Sequence, residues 1–298
     1  MHSLINKIQS KIKSNIFLDY DMKKSTWFRA GGNALGYVIV NDIPDLKTII
    51  SYSNQIKYYI VGVGSNLMVR DGGFDGLIIK LGKNFNKIKI NEDTLSVGAG
   101  ALDVNLAKFA LQNLIKDFEF FSGIPGTIGG SIKMNSGCYG KDMSDILYEV
   151  KILDRTKGLN NIKRNKLDMT YRKTSINDES IILSAKFRYS SENKDKKNIL
   201  DLKQQRKKTQ PINKLTGGST FKNPSGYKAW KLIEEAGCRG LSLGGAKVSE
   251  MHTNFIINYN NATANDIESL GNIVKSRVYK NSGIKLEWEI LKIGFSNK

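Results

Sequence analysis

Cysteine is scarce in this chain: 298 residues contain two, Cys138 and Cys238, far apart and with no CxxC partner. That excludes a disulfide framework and a zinc ribbon, and fits a reducing compartment. Histidine is equally rare, with no metal-ligand spacing around His252, so no metal site is expected. Long hydrophobic runs are missing too, since no stretch approaches the roughly 20 apolar residues of a membrane span. At the N-terminus Leu4, Ile5, Ile8, Ile12 and Ile16 recur at the spacing of one helix face, unlike the unbroken apolar core of a signal peptide. A soluble, cytoplasmic protein without membrane insertion is the expectation.

Negative charge is also in short supply: 28 acidic residues face 46 Lys and Arg, a formal net charge of +18. Such an excess invites a nucleic-acid reading. The lysines are nevertheless scattered among Asn and Ile along the whole chain, and no helix-turn-helix, zinc-finger or RRM signature accompanies them. No nucleic-acid partner is therefore expected, and no obligate protein partner is evident. Composition is otherwise that of a globular protein, long enough for two or three modest domains.

The hydrophobic pattern predicts an α+β chain in three parts, 1–61, 62–202 and 203–298. After the leading helix, "LGYVIV" from Leu35 reads as a strand. Asp42 and Pro44 open a helix to about Asn54, and "KYYIV" returns as a strand. The second part has short Gly-broken strands, one amphipathic helix from Asp103 to about Ile115, and the strands "EVKILD" and "IILSAKFRY". A charged connection, "SSENKDKKN", and a polar helix, "DLKQQRKK", lead to Pro211. The third part holds a helix ending at Gly237, the strand "TNFIINY", a helix over about 263–280 and a final alternating strand, "IKLEWEILKIG".

Two glycine loops stand out. "VGVGSNLMVRDGG" carries Gly62 and Gly64, but the third glycine of a dinucleotide fingerprint is Leu67, and a strand follows in place of a helix. A Rossmann reading fails. Gly62, Gly64, Ser65 and Asn66 still suit an anion-binding nest of backbone N–H groups and short donors. The second loop packs Gly123, Gly126, Gly129 and Gly130 around Ile124, Pro125 and Thr127. One such loop is commonly a turn. Two in one part, each without an acidic residue at its centre, are better explained by one anion held between them, a pyrophosphate being the natural candidate. A third glycine pair precedes a serine in "GGSTFKNP", where Ser219 by itself reads as turn, N-cap, phosphate contact, nucleophile or proton donor.

The ordered motifs "STWFRAGGNA", "GVGSNLMVRDGG", "FFSGIPGTIGGSIKMNSGCYG", "TYRKTS", "TGGSTFKNP", "AGCRGLSLGGAKVSEMHTNFIIN" and "LEWEI" together resemble the UDP-N-acetylenolpyruvoylglucosamine reductase family over about residues 20–295. The resemblance implies a two-subdomain FAD-binding fold of the vanillyl-alcohol-oxidase (PCMH) type, 1–61 and 62–202, with a C-terminal α+β substrate domain, 203–298. It implies FAD as cofactor, NADPH as co-substrate and a UDP-sugar as substrate. The two glycine loops would hold FAD, with Asn135 and Tyr139 close by. The length resembles the shorter subtype, which lacks a tyrosine-bearing insertion.

In the reaction so implied, hydride reaches the enol carbon and leaves a carbanion beside the substrate carboxylate, which needs polarising partners and a proton. Ser219 matches the proton donor. Arg172 and Glu289 match the pair on the carboxylate, for which a guanidinium is a planar double donor. By alternation alone Glu289 lies on the solvated side of its strand with Lys285 and Glu287, and Arg172 reads as a surface cation. Tyr171, Asn223 and His252 align with substrate-contacting positions. Lys208 is a candidate diphosphate contact, although the family carries its lysine nearer the Gln-Pro, where this chain has Thr209. A flavin alcohol oxidase would use only the first two parts, leaving "GGSTFKNP" and "LEWEI" unexplained. A basic nucleic-acid-binding protein is the non-enzymatic alternative.

Overall fold

The structure, a computed structural model, describes residues 1–189, 206 and 208–296. The connection "SSENKDKKN" and all of the polar helix "DLKQQRKK" but Arg206 and Lys208 lie outside the described residues. The chain forms two compact units, one from Met1–Leu18, Gly36–Gly62 and Gly76–Gln205, the other from Asp19–Leu35, Val63–Asp75 and Arg206–Lys298.

In the first unit, helix His2–Gln9 buries Ile5 and Ile8. The helical face read through Ile16 stops earlier than expected. Gln9 Oε1 accepts from Ile16 N at 2.7 Å, and Ile16 begins a strand. Helix Ile43–Ser51 starts on Asp42, whose side chain accepts from Asp45 N, with Pro in its first turn. Asp45 itself is buried and accepts from Lys13 N, Ser14 N and Ser14 Oγ, which keeps its carboxyl below the usual range despite burial and pins the N-terminal segment. A four-stranded sheet runs in the order Ile16–Asp21, Asn33–Val40, Phe74–Leu81, Lys57–Val61. Phe74–Leu81 thus separates the two strands of the strand-helix-strand unit and pairs in parallel with Lys57–Val61.

The rest of this unit is an antiparallel five-stranded sheet in the order Gly158–Lys163, Leu147–Asp154, Ile181–Arg188, Thr94–Gly98, Ile88–Asn91. Alternation is clear in Ile181–Arg188, where Ala185 and Phe187 are buried and Lys186 and Arg188 exposed. Phe187 meets the rings of Phe118 and Phe121 edge-on at 6.0 Å, closing the core beneath the second glycine loop.

In the second unit a sheet runs Leu215–Ser219, Phe255–Asn258, Ala246–Val248, Ser242–Leu243. It packs with helices Ala229–Glu235 and Ala264–Ser282 around Phe28, Met68, Phe221, Leu270 and Val274. The long helix begins with a capping box of Thr263 and Asp266 and ends at Gly283, φ 71°. Strand Leu67–Val69 pairs in parallel with Leu291–Ile293. Across that pair Glu268 receives Arg70 at 2.8 and 3.0 Å and Lys292 at 2.8 Å, and the two cations hold its carboxyl down to about 2. The alternating strand read over "IKLEWEILKIG" is shorter than expected, with only Leu291–Ile293 regular and a single bridge joining Trp288 to Phe221.

Candidate active site

Gly62 follows strand Lys57–Val61, and a Cβ there would stand 2.5 Å from Thr127 Oγ1. Only glycine lets the end of the first loop approach the second so closely. Thr127 caps Ile128–Lys133, its Oγ1 accepting from Gly130 N at 3.5 Å. The back of the second loop is fastened to residues 99–103: Gly129 N donates to Ala99 O (2.8 Å), Ile128 N to Ala101 O (2.9 Å) and Asp103 N to Gly126 O (3.1 Å). Gly130 is exposed, and a side chain on it would meet only Thr127 Oγ1, at 3.5 Å.

Gly123 lies against the following hairpin, where its Cβ would come within 2.6 Å of Cys138 Sγ and 2.7 Å of the Tyr139 ring. Ile124, Pro125 and Gly126 are half-buried between. Asn135 is buried, donating Nδ2 to Asp142 Oδ2 (3.1 Å) and Thr170 O (3.0 Å) and accepting from Ser144 N (3.1 Å). Its side chain thereby fixes the start of a two-residue hairpin, since Thr170 pairs with Lys173 and Tyr171 and Arg172 form the tip. Arg172 adopts φ 57°, with its guanidinium carbon 4.8 Å over the Tyr171 ring.

The second unit collects the remaining positions. Gly64 has φ 68°, its carbonyl accepts from Trp27 N, and a Cβ on it would fall 2.0 Å from Ser25 O. Ser65 is half-buried in the same turn. Gly217 packs on Phe28, leaving no room for a side chain (2.4 Å), and Gly218 turns left-handed at φ 80° with open space around it. The ladder shifts register between Thr216 and Ser219, so Ser219 pairs with Phe255 and stands half-buried at the strand end. Thr220, wholly buried, donates N–H to Asn254 O and accepts from Glu289 N at 2.9 Å. Asn66 then brackets Glu289: Nδ2 donates to Glu289 O at 3.0 Å, and its own carbonyl accepts from Leu291 N at 3.0 Å. Ser219, Asn66 and Glu289 are thus neighbours through two backbone links.

Asn254 acts on the same segment, closing both polar groups of Phe221 with its amide (3.0 and 2.8 Å). Neither it nor Thr220 was singled out from sequence, where nothing separates them from ordinary strand residues. Asn223 accepts from Ala229 N at 2.9 Å, closing the loop ahead of Ala229–Glu235. His252 stacks edge-on to Phe255 at 4.8 Å, and its Nδ1 accepts from Asn254 N at 3.3 Å. Burial pushes its pKa down, so it is a neutral ring in a turn. Lys208 is exposed.

The chain is 44% identical over 288 residues to proteins of Rickettsia typhi and Rickettsia prowazekii, covering 95% of this chain and 97% of theirs, and both carry the name UDP-N-acetylenolpyruvoylglucosamine reductase. The chain belongs to the UDP-N-acetylenolpyruvoylglucosamine reductase family. The C-terminal domain characteristic of these reductases matches residues 210–293, and an FAD binding domain matches residues 34–159. The crystal structure of the reductase from Thermus caldophilus superposes with a TM-score of 0.81 at 29% identity, covering 94% of this chain and 98% of that one. The α+β reading, an FAD-binding region followed by a C-terminal domain, agrees with these matches. Among the described residues of this reductase-family chain, no helix is long and apolar enough to cross a membrane.

If Asn66 serves chiefly to hold Glu289, Asn66→Ala removes one backbone-directed hydrogen bond worth about 1 kcal/mol. The expected result is a melting temperature lower by roughly 2–4 °C, read by thermal denaturation.

Proposed function

We propose that the loops around Gly62–Asn66 and Gly123–Gly130 hold the FAD pyrophosphate, and that Ser219, Arg172 and Glu289 act on the enolpyruvyl group. The reaction is that of the family, NADPH-dependent reduction of UDP-N-acetylenolpyruvoylglucosamine to UDP-N-acetylmuramate. FAD, when bound, supplies hydride transfer, from NADPH and on to the terminal enol carbon.

The residues present fit such a group. The close approach of Gly62 to Thr127 leaves backbone where a side chain would otherwise stand, and Gly130 is exposed. No residue of either loop is acidic. Ile128, Gly129 and Gly130 spend their N–H groups inside the fold, so the anion would rest on the other amides of the two loops and on short donors such as Ser65. Tyr139, beside Gly123, borders the same loop, and Asn135 is proposed to lie close by, its side chain fixing Thr170 and Ser144.

As hydride adds to the enol CH2, the π electron pair moves to the neighbouring carbon, in conjugation with the carboxylate. Arg172 forks onto that carboxylate and Glu289 hydrogen-bonds to it in protonated form, spreading the developing charge. Ser219 Oγ then gives its proton to the carbanion carbon, and water returns one to the serine. The observation that carries this reading is the link from Ser219 through Thr220 to Glu289, clamped by Asn66. A small hydroxyl at a register shift, behind a left-handed glycine, can approach substrate closely. Tyr171, Asn223, His252 and Lys208 are proposed substrate contacts, and the division at 61/62 and 202/203 is the proposed subdomain arrangement. A cytoplasmic setting, where NADPH is available, completes the proposal. An alcohol oxidase or a nucleic-acid-binding role is not favoured.

Glu289→Ala, which removes the donor, tests the assignment. FAD reduction by NADPH is expected to proceed at the native rate, while reoxidation by the enolpyruvyl substrate slows by about 10²-fold. Native reoxidation in this variant would return Glu289 to a solvated strand position.

A further inference from the structure

Beneath the second glycine loop lies a carboxyl that the mechanism does not use. Asp103, the first residue of helix Asp103–Gln112, is wholly buried. Its Oδ2 accepts from Ser131 Oγ at 2.7 Å, and Oδ1 is buried without a hydrogen-bond partner among the described residues. Its backbone N–H holds Gly126 O, and a Cβ on Gly126 would stand 2.7 Å from Oδ2. The carboxyl therefore touches the loop from behind while the exposed Gly130 faces outward.

We propose that Asp103 is a positioning residue for the cofactor loop that works as the neutral acid, keeping negative charge from beneath a site that must take a pyrophosphate. This rests on the reading that residues 123–130 hold the FAD pyrophosphate. An ionised carboxylate against the back of this loop would oppose a diphosphate held on its outer side, in the low-dielectric interior. A buried carboxyl with one oxygen unsatisfied also favours its protonated form. Burial pushes the Asp103 pKa up to about 8, against the opposing pull of hydrogen bonds from Ser131 and the Gly126 backbone, and no charged group is among the causes. The charged side chains of the adjoining helices turn elsewhere: Lys133 binds Ile176 O and Asp178, and Lys108 is exposed.

The sign follows. The folded chain keeps this proton up to about pH 8, while the unfolded chain loses it near 3.8, so this group subtracts stability as pH rises across that window. Above about pH 8 the folded protein ionises as well, and the loop is expected to lose its grip on FAD.

The experiment dilutes holoenzyme at pH 6 to 9.5 and follows FAD release by flavin fluorescence. Native protein is expected to release FAD about tenfold faster at pH 9.5 than at pH 7, with a midpoint near 8. Asp103→Asn, neutral at every pH, should release it at the native pH 7 rate throughout. Ser131→Ala removes a bond that favours the ionised form, so the midpoint should move up, whereas simple loosening would raise release at all pH values. A flat native profile, or an equal rise in Asp103→Asn, overturns the proposal. Gly130→Glu separates it from the underlying reading: that variant should fold without flavin, and if it retains FAD, the loop is not the pyrophosphate site.

Discussion

Ser219→Ala is expected to reduce FAD with NADPH at close to the native rate and then to stall with the enolpyruvyl substrate. General acids contribute about 10²–10⁴-fold to such steps, and a carbanion with no positioned donor should lie at the upper end. The substitution removes one oxygen from a half-buried strand end, and Ser219's backbone pairing with Phe255 needs no side chain. Fold and cofactor content should therefore stay native. Stopped-flow separates the half-reactions, the first at the flavin absorption band with NADPH alone, the second by mixing reduced enzyme with substrate. Equal slowing of both would sink the proton-donor assignment and leave Ser219 a structural residue.

Gly64→Ala should strike the fold itself. The residue sits at φ 68°, and the added carbon would lie 2.0 Å from Ser25 O and 2.9 Å from Thr26 Cα, all backbone that cannot swing aside. The left-handed conformation costs an alanine about 1 kcal/mol and the overlap about 1–3 kcal/mol more. Together these are a large share of a typical stability of about 5–15 kcal/mol. The melting temperature should fall by roughly 5–15 °C. Gly218→Ala is the internal control, left-handed at φ 80° but with nothing within 4 Å, and should cost only the conformational part. Equal losses in the two variants would mean that the close approach to Ser25 does not limit the site.

Local signals were legible where the chemistry is local. Asp42 and Pro44 mark the start of helix Ile43–Ser51, and "IILSAKFRY" reads as the strand that it forms. The end of the chain was harder. Alternation placed Glu287 and Glu289 together on a solvated face, yet the Glu287 side chain is 77% exposed and Glu289 is half-buried. The difference arises because Lys222 N, Thr220 O and Asn66 Nδ2 fasten this segment, and partners so distant leave no periodic trace. Asp103 was read as a helix start, which it is. That its carboxyl turns inward beneath Gly126 depends on a loop more than twenty residues away, and no spacing rule carries that information. The insertion of Phe74–Leu81 between the strands on either side of Ile43–Ser51 was hidden likewise, because sheet order is a matter of pairing, not of propensity.

The discontinuous make-up of the second unit sets a timetable for the chain as it is made. Phe28, Ala30 and Met68 belong to a core whose other members begin at Phe221, and strand Leu67–Val69 finds its parallel partner only at Leu291–Ile293. At about 5–20 residues per second on the ribosome, the early segments wait roughly 10–45 s before that partner has been synthesised. During that interval "LMV" is an apolar strand with an open edge, the kind of segment that nascent-chain chaperones cover.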